Sequence, residues 1–189
     1  KVVKPDYIWG RIRLVQLESP TNIYVIDGNK TNLKLLGPLL TGGPIKIIHN
    51  AKFESGFLEK RVGVMPTPVF DTQLVDQVVR GNIVISKHTP GVDKFRSLAD
   101  LAKEKLGTSL DKTLQTSDWS SSVLAKGQLD YAAGDVAILR PLMEHLRQSV
   151  EELRLTGTTL LENRFVAPTT WMQVSGVGFG KQMWEDLYT

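Results

Sequence analysis

The sequence contains no cysteine. This absence excludes disulfide bonds, thiolate zinc sites and a cysteine nucleophile, and it fits an intracellular, cytoplasmic protein. Long hydrophobic runs are absent as well, because no apolar stretch approaches the roughly 20 residues that a membrane-spanning helix needs. The first residues also lack the layout of a signal peptide. We therefore expect an intracellular protein without a membrane span.

A strong excess of charge of either sign is absent too. The 189 residues carry a formal net charge of +3, which suits a nucleic-acid partner and equally suits an ordinary surface of solvated lysines. With 41% apolar and 23% charged residues, the composition is that of a globular protein. The length suits one domain, or one domain with a small appendage. Because Lys1 is not an initiator methionine, we expect the chain to be a fragment.

The order of the local patterns predicts strands first and helices interleaved or later. The first half predicts a β-hairpin over residues 11–26, a short helix capped at Thr31 and Asn32, a buried strand at 45–48, a helix at 51–60, an extended segment at 67–71 and a helix at 72–80. The second half predicts a surface connection at 81–95, a helix from Ser97 to Gly107, a polar loop at 108–122, a helix at 124–148 that Pro141 kinks or divides, an amphipathic helix at 150–161, and a further helical piece in the tail. This order predicts an α/β fold built in layers.

Acidic residues at two places are candidates for chemistry. Glu54 lies one helical turn after Asn50, just beyond a buried strand, where the loops of α/β enzymes converge on a crevice. Asp135 follows Tyr131 by four residues, so both side chains leave one face of a helix, and the small residues between them would let a substrate approach closely. Each residue taken alone is also explained by a surface carboxylate or by a tyrosine at the core margin.

Two further polar residues have plainer interpretations. Asp71 stands at a strand-to-helix junction, and we interpret it as the N-cap of the following helix, worth about 1 kcal/mol. His49 is interpreted as structural or adjacent to a substrate, because no second histidine has metal-ligand spacing. The glycine run at 176–180 lacks the preceding strand and the lysine-serine ending of a phosphate loop. A serine triad has no support either.

Four segments in this order resemble one family. They are residues 49–58 (HNAKFESGFL), 70–74 (FDTQL), 97–102 (SLADLA) and 129–136 (LDYAAGDV). They resemble the 3′–5′ exonuclease domain of family A DNA polymerases and of ribonuclease D, over roughly residues 11–146. The spacing of Tyr131 and Asp135 resembles the tyrosine-bearing branch (DEDDy) of the DEDD exonucleases. The resemblance implies an α/β, ribonuclease-H-like fold with a mixed sheet flanked by helices.

The resemblance also implies a catalytic site with metal-binding carboxylates. Asp135 and Glu54 correspond to two of the four acidic ligands, with Glu54 standing where the family has aspartate, and Tyr131 corresponds to the tyrosine that orients the attacking water. The implied cofactors are two divalent ions, Mg²⁺ or Mn²⁺, about 3.5–4 Å apart. The positions that we place beside the substrate strand are Asn50, Phe53 and His49.

The first motif of the family, Asp-x-Glu on the opening strand, has no counterpart in this sequence. Residues 1–10 contain no such pattern, since Asp6 is followed by Tyr7 and Ile8. Glu18, on the next predicted strand, is a poor substitute. Three explanations stay open: the fragment starts too late, the segment is missing from this sequence, or the domain has lost the motif.

The tail provides a second, looser resemblance. Residues 162–187 resemble the segment that links such an exonuclease to a family A polymerase domain, and a plain helical appendage explains them equally well. We therefore divide the chain into an exonuclease-like domain at residues 1–149 and a helical tail at residues 150–189.

The resemblance implies a 3′–5′ exonuclease that hydrolyses the 3′ ends of single-stranded DNA, as in proofreading, and releases nucleoside 5′-monophosphates. Two alternatives stay open. One is a nuclease-inactive domain of a polymerase-like protein that binds single strands or serves as a scaffold. The other is a ribonuclease D-like enzyme that trims RNA. The implied partners are a single-stranded DNA 3′ end, or RNA, and a linked or associated polymerase domain.

Overall fold

A computed structural model describes residues 10–81, 95–115, 117–176, 178 and 180–187 of the chain. The strands in these ranges are β1 (Leu14–Glu18), β2 (Ile23–Asp27), β3 (Thr41–Ile48) and β4 (Thr67–Asp71). The α-helices are α1 (Gly37–Leu40), α2 (Ala51–Val62), α3 (Thr72–Arg80), α4 (Leu98–Leu106), α5 (Lys126–Ala137), α6 (Leu139–Glu152), α7 (Thr156–Ser175) and α8 (Lys181–Asp186). A 3₁₀ turn at Leu33–Leu36 precedes α1.

The predicted β-hairpin is confirmed. Strands β1 and β2 pair antiparallel, and the turn between them closes through a hydrogen bond of 2.8 Å from the Ser19 amide to the Asn22 carbonyl. Arg13 forms an ion pair with Asp27 across the hairpin. The same guanidinium donates to the carbonyl of Trp119 at 2.9 Å. The hairpin is thereby tied to the polar loop that precedes α5, and α5 packs against both strands.

The parallel pairing of β3 and β4 places the C-terminal ends of both strands at one edge of their sheet. Strand β3 pairs with β4 in a register that sets Ile48 opposite Asp71, so both strands end at the same level. Helix α2 supplies the crossover between them, as parallel pairing requires. The expected α/β class is confirmed, and the described strands form two two-stranded sheets, one antiparallel and one parallel, flanked by helices.

The helices bury their apolar faces in two clusters. The larger lies among β4, α3, α4 and α6 and consists of Phe70, Val75, Leu101, Leu142, Leu146 and Val150. The smaller joins α1 to α2 through Leu40, Leu58 and Val62. Within the described ranges, none of the helices combines the length and the apolar character that crossing a bilayer requires.

Two predicted helix boundaries differ from the structure. Instead of one helix over 124–148, α5 ends at Ala137 and α6 begins at Leu139, with Pro141 in the first turn of α6, where its missing N–H is tolerated. The helix predicted at 150–161 is wrong, because α6 continues to Glu152 and Arg154 adopts a left-handed φ of 56° before α7 begins. Apolar spacing continues across both breaks, which hides them in the sequence.

One strand begins earlier than predicted, and two further predictions remain open. Strand β3 begins at Thr41, earlier than the predicted strand at 45–48. Most of the predicted surface connection at 81–95 lies outside the described residues. The predicted division between residues 149 and 150 falls within α6, and the following helix α7 packs against α2. That division stays a prediction.

Asp71 holds the ends of β3 and β4 to the helices that follow them. Its carboxylate accepts the backbone N–H groups of Asn50 at 3.1 Å, Ala51 at 2.7 Å, Gln73 at 2.9 Å and Leu74 at 3.3 Å. The predicted N-cap of α3 is thus confirmed, and the same carboxylate also fixes the start of α2. The Asp71 amide donates to the Asn163 side chain on α7 at 2.6 Å.

We expect Asp71→Ala to lower the free energy of unfolding by about 3 kcal/mol, since four backbone donors lose their acceptor in a buried place. Asp100→Ala serves as the matched control, because Asp100 is an exposed member of the capping box that starts α4; we expect it to destabilise the protein less, since its carboxylate and partners stay in contact with water. Urea denaturation of both variants measures the difference. A loss for Asp71→Ala no larger than for Asp100→Ala would contradict the role given to Asp71.

Candidate active site

The first turn of α2 carries several of the predicted site residues. Asn50 precedes the helix in a left-handed conformation, with φ 60° and ψ 54°, which asparagine tolerates better than most residues. Its side chain makes no capping hydrogen bond to the helix. The turn is instead held by the bonds from the Asn50 and Ala51 amides to Asp71. The side-chain amide of Asn50 is therefore not used in capping, and the residue lies exposed at the edge of the sheet.

Glu54 and Phe53 lie in that first turn. Nearby protein atoms desolvate the Glu54 carboxyl and raise its pKa, although the side chain stays exposed, and this exposure limits the shift. The positive end of the helix dipole also lies nearby and favours a carboxylate. The Phe53 ring packs edge-on against Phe57, with ring centroids 5.2 Å apart. The turn thus offers an acidic group beside an aromatic pair.

Tyr131 and Asp135 lie one turn apart on α5 and interact with each other. A hydrogen bond between them lowers the pKa of Asp135, but the loss of solvent around the carboxyl is the larger influence and raises it. The pKa of Tyr131 is raised, first by burial and then by the Asp135 charge. The Tyr131 ring lies 6.1 Å from that of Trp119. The pair is therefore partly buried and oriented by the polar loop before α5.

The small residues between Tyr131 and Asp135 have different environments. Ala132 is buried in the packing of α5. Gly134 is exposed, and a Cβ added to it would meet no described atom within 4 Å. Gly134 therefore leaves open space of the kind predicted for this stretch.

His49 is held on both ring nitrogens. Nδ1 lies 3.0 Å from the Thr72 hydroxyl, and Nε2 lies 3.2 Å from the Arg96 carbonyl. Burial lowers the pKa of His49, although the Asp71 charge opposes the shift, so the neutral ring is favoured. These contacts are those of a structural histidine. Its predicted position beside a substrate strand stays a prediction.

The predicted site residues lie on two helices. Asn50, Phe53 and Glu54 share the start of α2, whereas Tyr131 and Asp135 belong to α5. Within the described part of the chain, no three histidine or acidic side chains form a group that could hold a metal ion. Glu18 forms an ion pair with Arg140 at 3.1 Å.

Two glutamines next to this site are not predicted from the sequence. Gln73 donates to the Arg96 carbonyl at 2.8 Å and lies 3.4 Å from the His49 ring. Gln77, one turn later, is buried and lines a cavity of about 370 Å³ together with Asn50 and Lys52. Their spacing of four residues on α3 is the signal that could have indicated a shared polar face.

Comparison with known proteins gives a consistent result. The family model described as 3′–5′ exonuclease matches residues 4–151. DNA polymerase I of Aquifex aeolicus is 38% identical over 156 residues, which are 82% of this chain and 25% of that protein. Ribonuclease D of Granulibacter bethesdensis is 32% identical over 147 residues, which are 76% of this chain and 34% of that protein. The chain thus spans a quarter to a third of the length of these relatives.

Two solved structures are similar to this fold. NrnC of Brucella melitensis superimposes with a TM-score of 0.76 at 29% identity, covering 90% of this chain and 80% of that one. Ribonuclease D of Escherichia coli superimposes with a TM-score of 0.70 at 25% identity, covering 93% of this chain and 44% of that one. Brucella NrnC has also been solved with bound pGG and with bound Mg²⁺.

The environment of His49 predicts a pH dependence of stability. Because burial lowers the pKa of His49 in the folded state, the unfolded chain gains a proton first as the pH falls through about 6.5. His49 therefore makes the fold less stable on acidification from about pH 7.5 to about pH 5.5, whereas the raised pKa values of Glu54, Asp71 and Asp135 act in the opposite direction. We expect the unmodified protein to lose more stability, or gain less, over this range than His49→Gln does. Urea denaturation at both pH values measures it.

The exposed His145 on α6 provides the matched control substitution, His145→Gln. Equal pH dependence in the unmodified protein and in His49→Gln would show that the buried ring does not contribute.

Proposed function

This chain belongs to the family of 3′–5′ exonuclease domains, and from that premise we propose that it removes nucleotides from the 3′ end of single-stranded DNA by metal-dependent hydrolysis inside the cell. The observation that carries the proposal is the interacting pair of Tyr131 and Asp135 on α5, beside the open space at Gly134. We assign Tyr131, Asp135 and Glu54 as catalytic residues.

The chemistry of Glu54 and Asp135 suits divalent metal ions. Carboxylate oxygens are the ligands that Mg²⁺ and Mn²⁺ prefer. Neither carboxylate forms an ion pair with a basic side chain of the described residues, so both are available to a cation. The Mg²⁺ bound to Brucella NrnC supports this assignment. Two such ions would supply activation of a water and stabilisation of the leaving 3′ oxygen.

Tyr131 has the properties of a group that orients water. Because its pKa is raised, the phenol keeps its proton at neutral pH. A protonated phenol that donates to Asp135 still has oxygen lone pairs that accept a hydrogen bond from a water. Tyr131 would therefore position the attacking water rather than remove its proton. Asn50, Phe53 and His49 lie at the sheet edge next to Glu54, where we place the terminal nucleotides.

Two other functions have specific support. RNA trimming is favoured by the similarity to ribonuclease D. A nuclease-inactive, strand-binding domain is favoured by the lack of a group of three metal-binding side chains among the described residues. A polymerase domain, linked or associated, is a proposed partner because the chain matches one quarter of a DNA polymerase I.

We expect Asp135→Ala to abolish shortening of a 5′-labelled single strand, and Tyr131→Phe to reduce it less, because the phenylalanine ring loses only the hydroxyl that orients the water. Asp130→Ala is the matched control, since Asp130 lies on the same helix, exposed and paired with Lys126 at 2.6 Å. Denaturing gels of a DNA and an RNA strand of one sequence, with Mg²⁺ or Mn²⁺, give the measurement. Full activity in Asp135→Ala would overturn the site assignment.

Metal binding provides a separate prediction that does not depend on turnover. Calorimetric titration of the protein with Mn²⁺ should show two bound ions, and Asp135→Ala should lose at least one of them, because a carboxylate ligand is removed. Asp130→Ala should bind Mn²⁺ like the unmodified protein. A folded protein that binds no Mn²⁺ would favour the strand-binding, nuclease-inactive domain.

A further inference from the structure

A basic pocket lies at the end of α2 remote from Glu54. We define the basic pocket by Arg11, Lys34 and Arg61, with Gly28, Asn29, Thr31 and Asn32 completing most of the polar lining. Its volume is about 380 Å³. Its described lining includes three cationic side chains and no carboxylate. The pocket therefore has the charge and the hydrogen-bonding groups that suit an anion.

The three cations come from separate parts of the chain. Arg11 precedes β1, Lys34 lies in the 3₁₀ turn, and Arg61 lies in the last turn of α2. Close backbone packing brings them together. A Cβ on Gly28 would lie 2.2 Å from the Ile12 carbonyl oxygen, so glycine is required where the residue after β2 lies against the residues before β1. The basic pocket is thus a product of the fold rather than of a local run of basic residues.

Arg11 and Lys34 differ from the cations that support the structure. Arg13, two residues after Arg11, is neutralised by Asp27 and bound to two loop carbonyls. By contrast, Arg11 and Lys34 form no ion pair with any described acidic side chain. Like charges that converge on one cavity repel each other, and an anion placed between them would remove that repulsion.

Helix α2 connects the basic pocket to the proposed active site. Glu54, Phe57 and Arg61 follow one another at i, i+3 and i+7, so they share one face of the helix. At 1.5 Å per residue, Glu54 and Arg61 are separated by about 10 Å along the axis. The Phe53–Phe57 ring pair lies between them. The order along this face is an acid, an aromatic pair and the basic pocket.

We propose that the basic pocket binds backbone phosphates of the single strand upstream of the nucleotide that is removed, with an intervening base stacked on the Phe53–Phe57 pair. Phosphate contacts fix the register of a strand, and aromatic rings accept any base. The proposal rests on the proposed function, because the catalytic assignment of Glu54 places the 3′ end of the strand at the start of α2. Single strands long enough to reach the basic pocket should then bind more tightly than a dinucleotide.

The test compares two double variants of the full chain. Arg11→Ala/Lys34→Ala removes two cations of the basic pocket, and Lys103→Ala/Arg164→Ala removes two exposed cations on α4 and α7, so both variants lose the same charge. Thermal melting confirms that each is folded. Fluorescence anisotropy without metal ions measures Kd for a dinucleotide and for a strand of about ten nucleotides, within the range that single-strand sites cover. DNA and RNA strands are measured in parallel.

We expect Arg11→Ala/Lys34→Ala to raise Kd for the longer strand about tenfold and to raise it less for the dinucleotide. The slope of log K against log salt concentration should become less negative by about 1.4, because each of the two lost phosphate contacts contributes about 0.7. Kd and salt dependence equal to those of Lys103→Ala/Arg164→Ala would overturn the proposal.

The proposed function is judged separately, on shortening of the strand in the presence of Mn²⁺. If Arg11→Ala/Lys34→Ala loses length-dependent binding and the unmodified protein shows no nuclease activity, the basic pocket is retained and the catalytic assignment is rejected. Normal strand shortening with unchanged binding in the variant would reject the basic pocket alone.

Discussion

The buried carboxylate of Asp71 is the interaction on which the arrangement of the site depends. Parallel pairing ends β3 and β4 at one level, which leaves the first amides of α2 and α3 without helical partners at the same place. One carboxylate satisfies amides of both helices, and these bonds offset part of the effect of burial, which raises its pKa. Asn163 on α7 completes the junction. The turn from Asn50 to Glu54 is therefore held by backbone bonds, and its side chains remain available for chemistry.

Several acidic side chains of the described residues are held by hydrogen bonds or ion pairs. Asp71 binds backbone amides, Asp76 pairs with Arg80 at 2.8 Å, and Glu18 pairs with Arg140. Glu54 and Asp135 have no basic partner among the described side chains, and desolvation raises the pKa of both. A carboxylate kept without a cation in a partly desolvated place is costly, and perturbed groups of this kind concentrate at functional sites.

Helix α2 organises the surface that the two proposals share. Its first turn presents the acidic group, its middle presents an aromatic pair, and its last turn contributes to a basic pocket. An apolar stripe of the same helix packs against α1 and fixes its orientation. Because the buried and exposed faces belong to one rigid element, the spacing between the acidic and basic ends is set by the helix itself. A single strand lying along that face would meet each group in a fixed order.

The sequence by itself determined the elements that depend on neighbouring residues. The hairpin turn, the caps at Asp71, Ser97 and Gly107, and the pairing of Tyr131 with Asp135 follow from spacings of a few residues. Tertiary structure alone decided the helix breaks at Ile138 and Arg154, which carboxylates have partners, and where Arg11, Lys34 and Arg61 converge. Asp71 and Asn163 lie 92 positions apart, so no local pattern contains their contact. Periodicity reports which face of an element is apolar, whereas burial and pairing depend on what the rest of the chain places against that face.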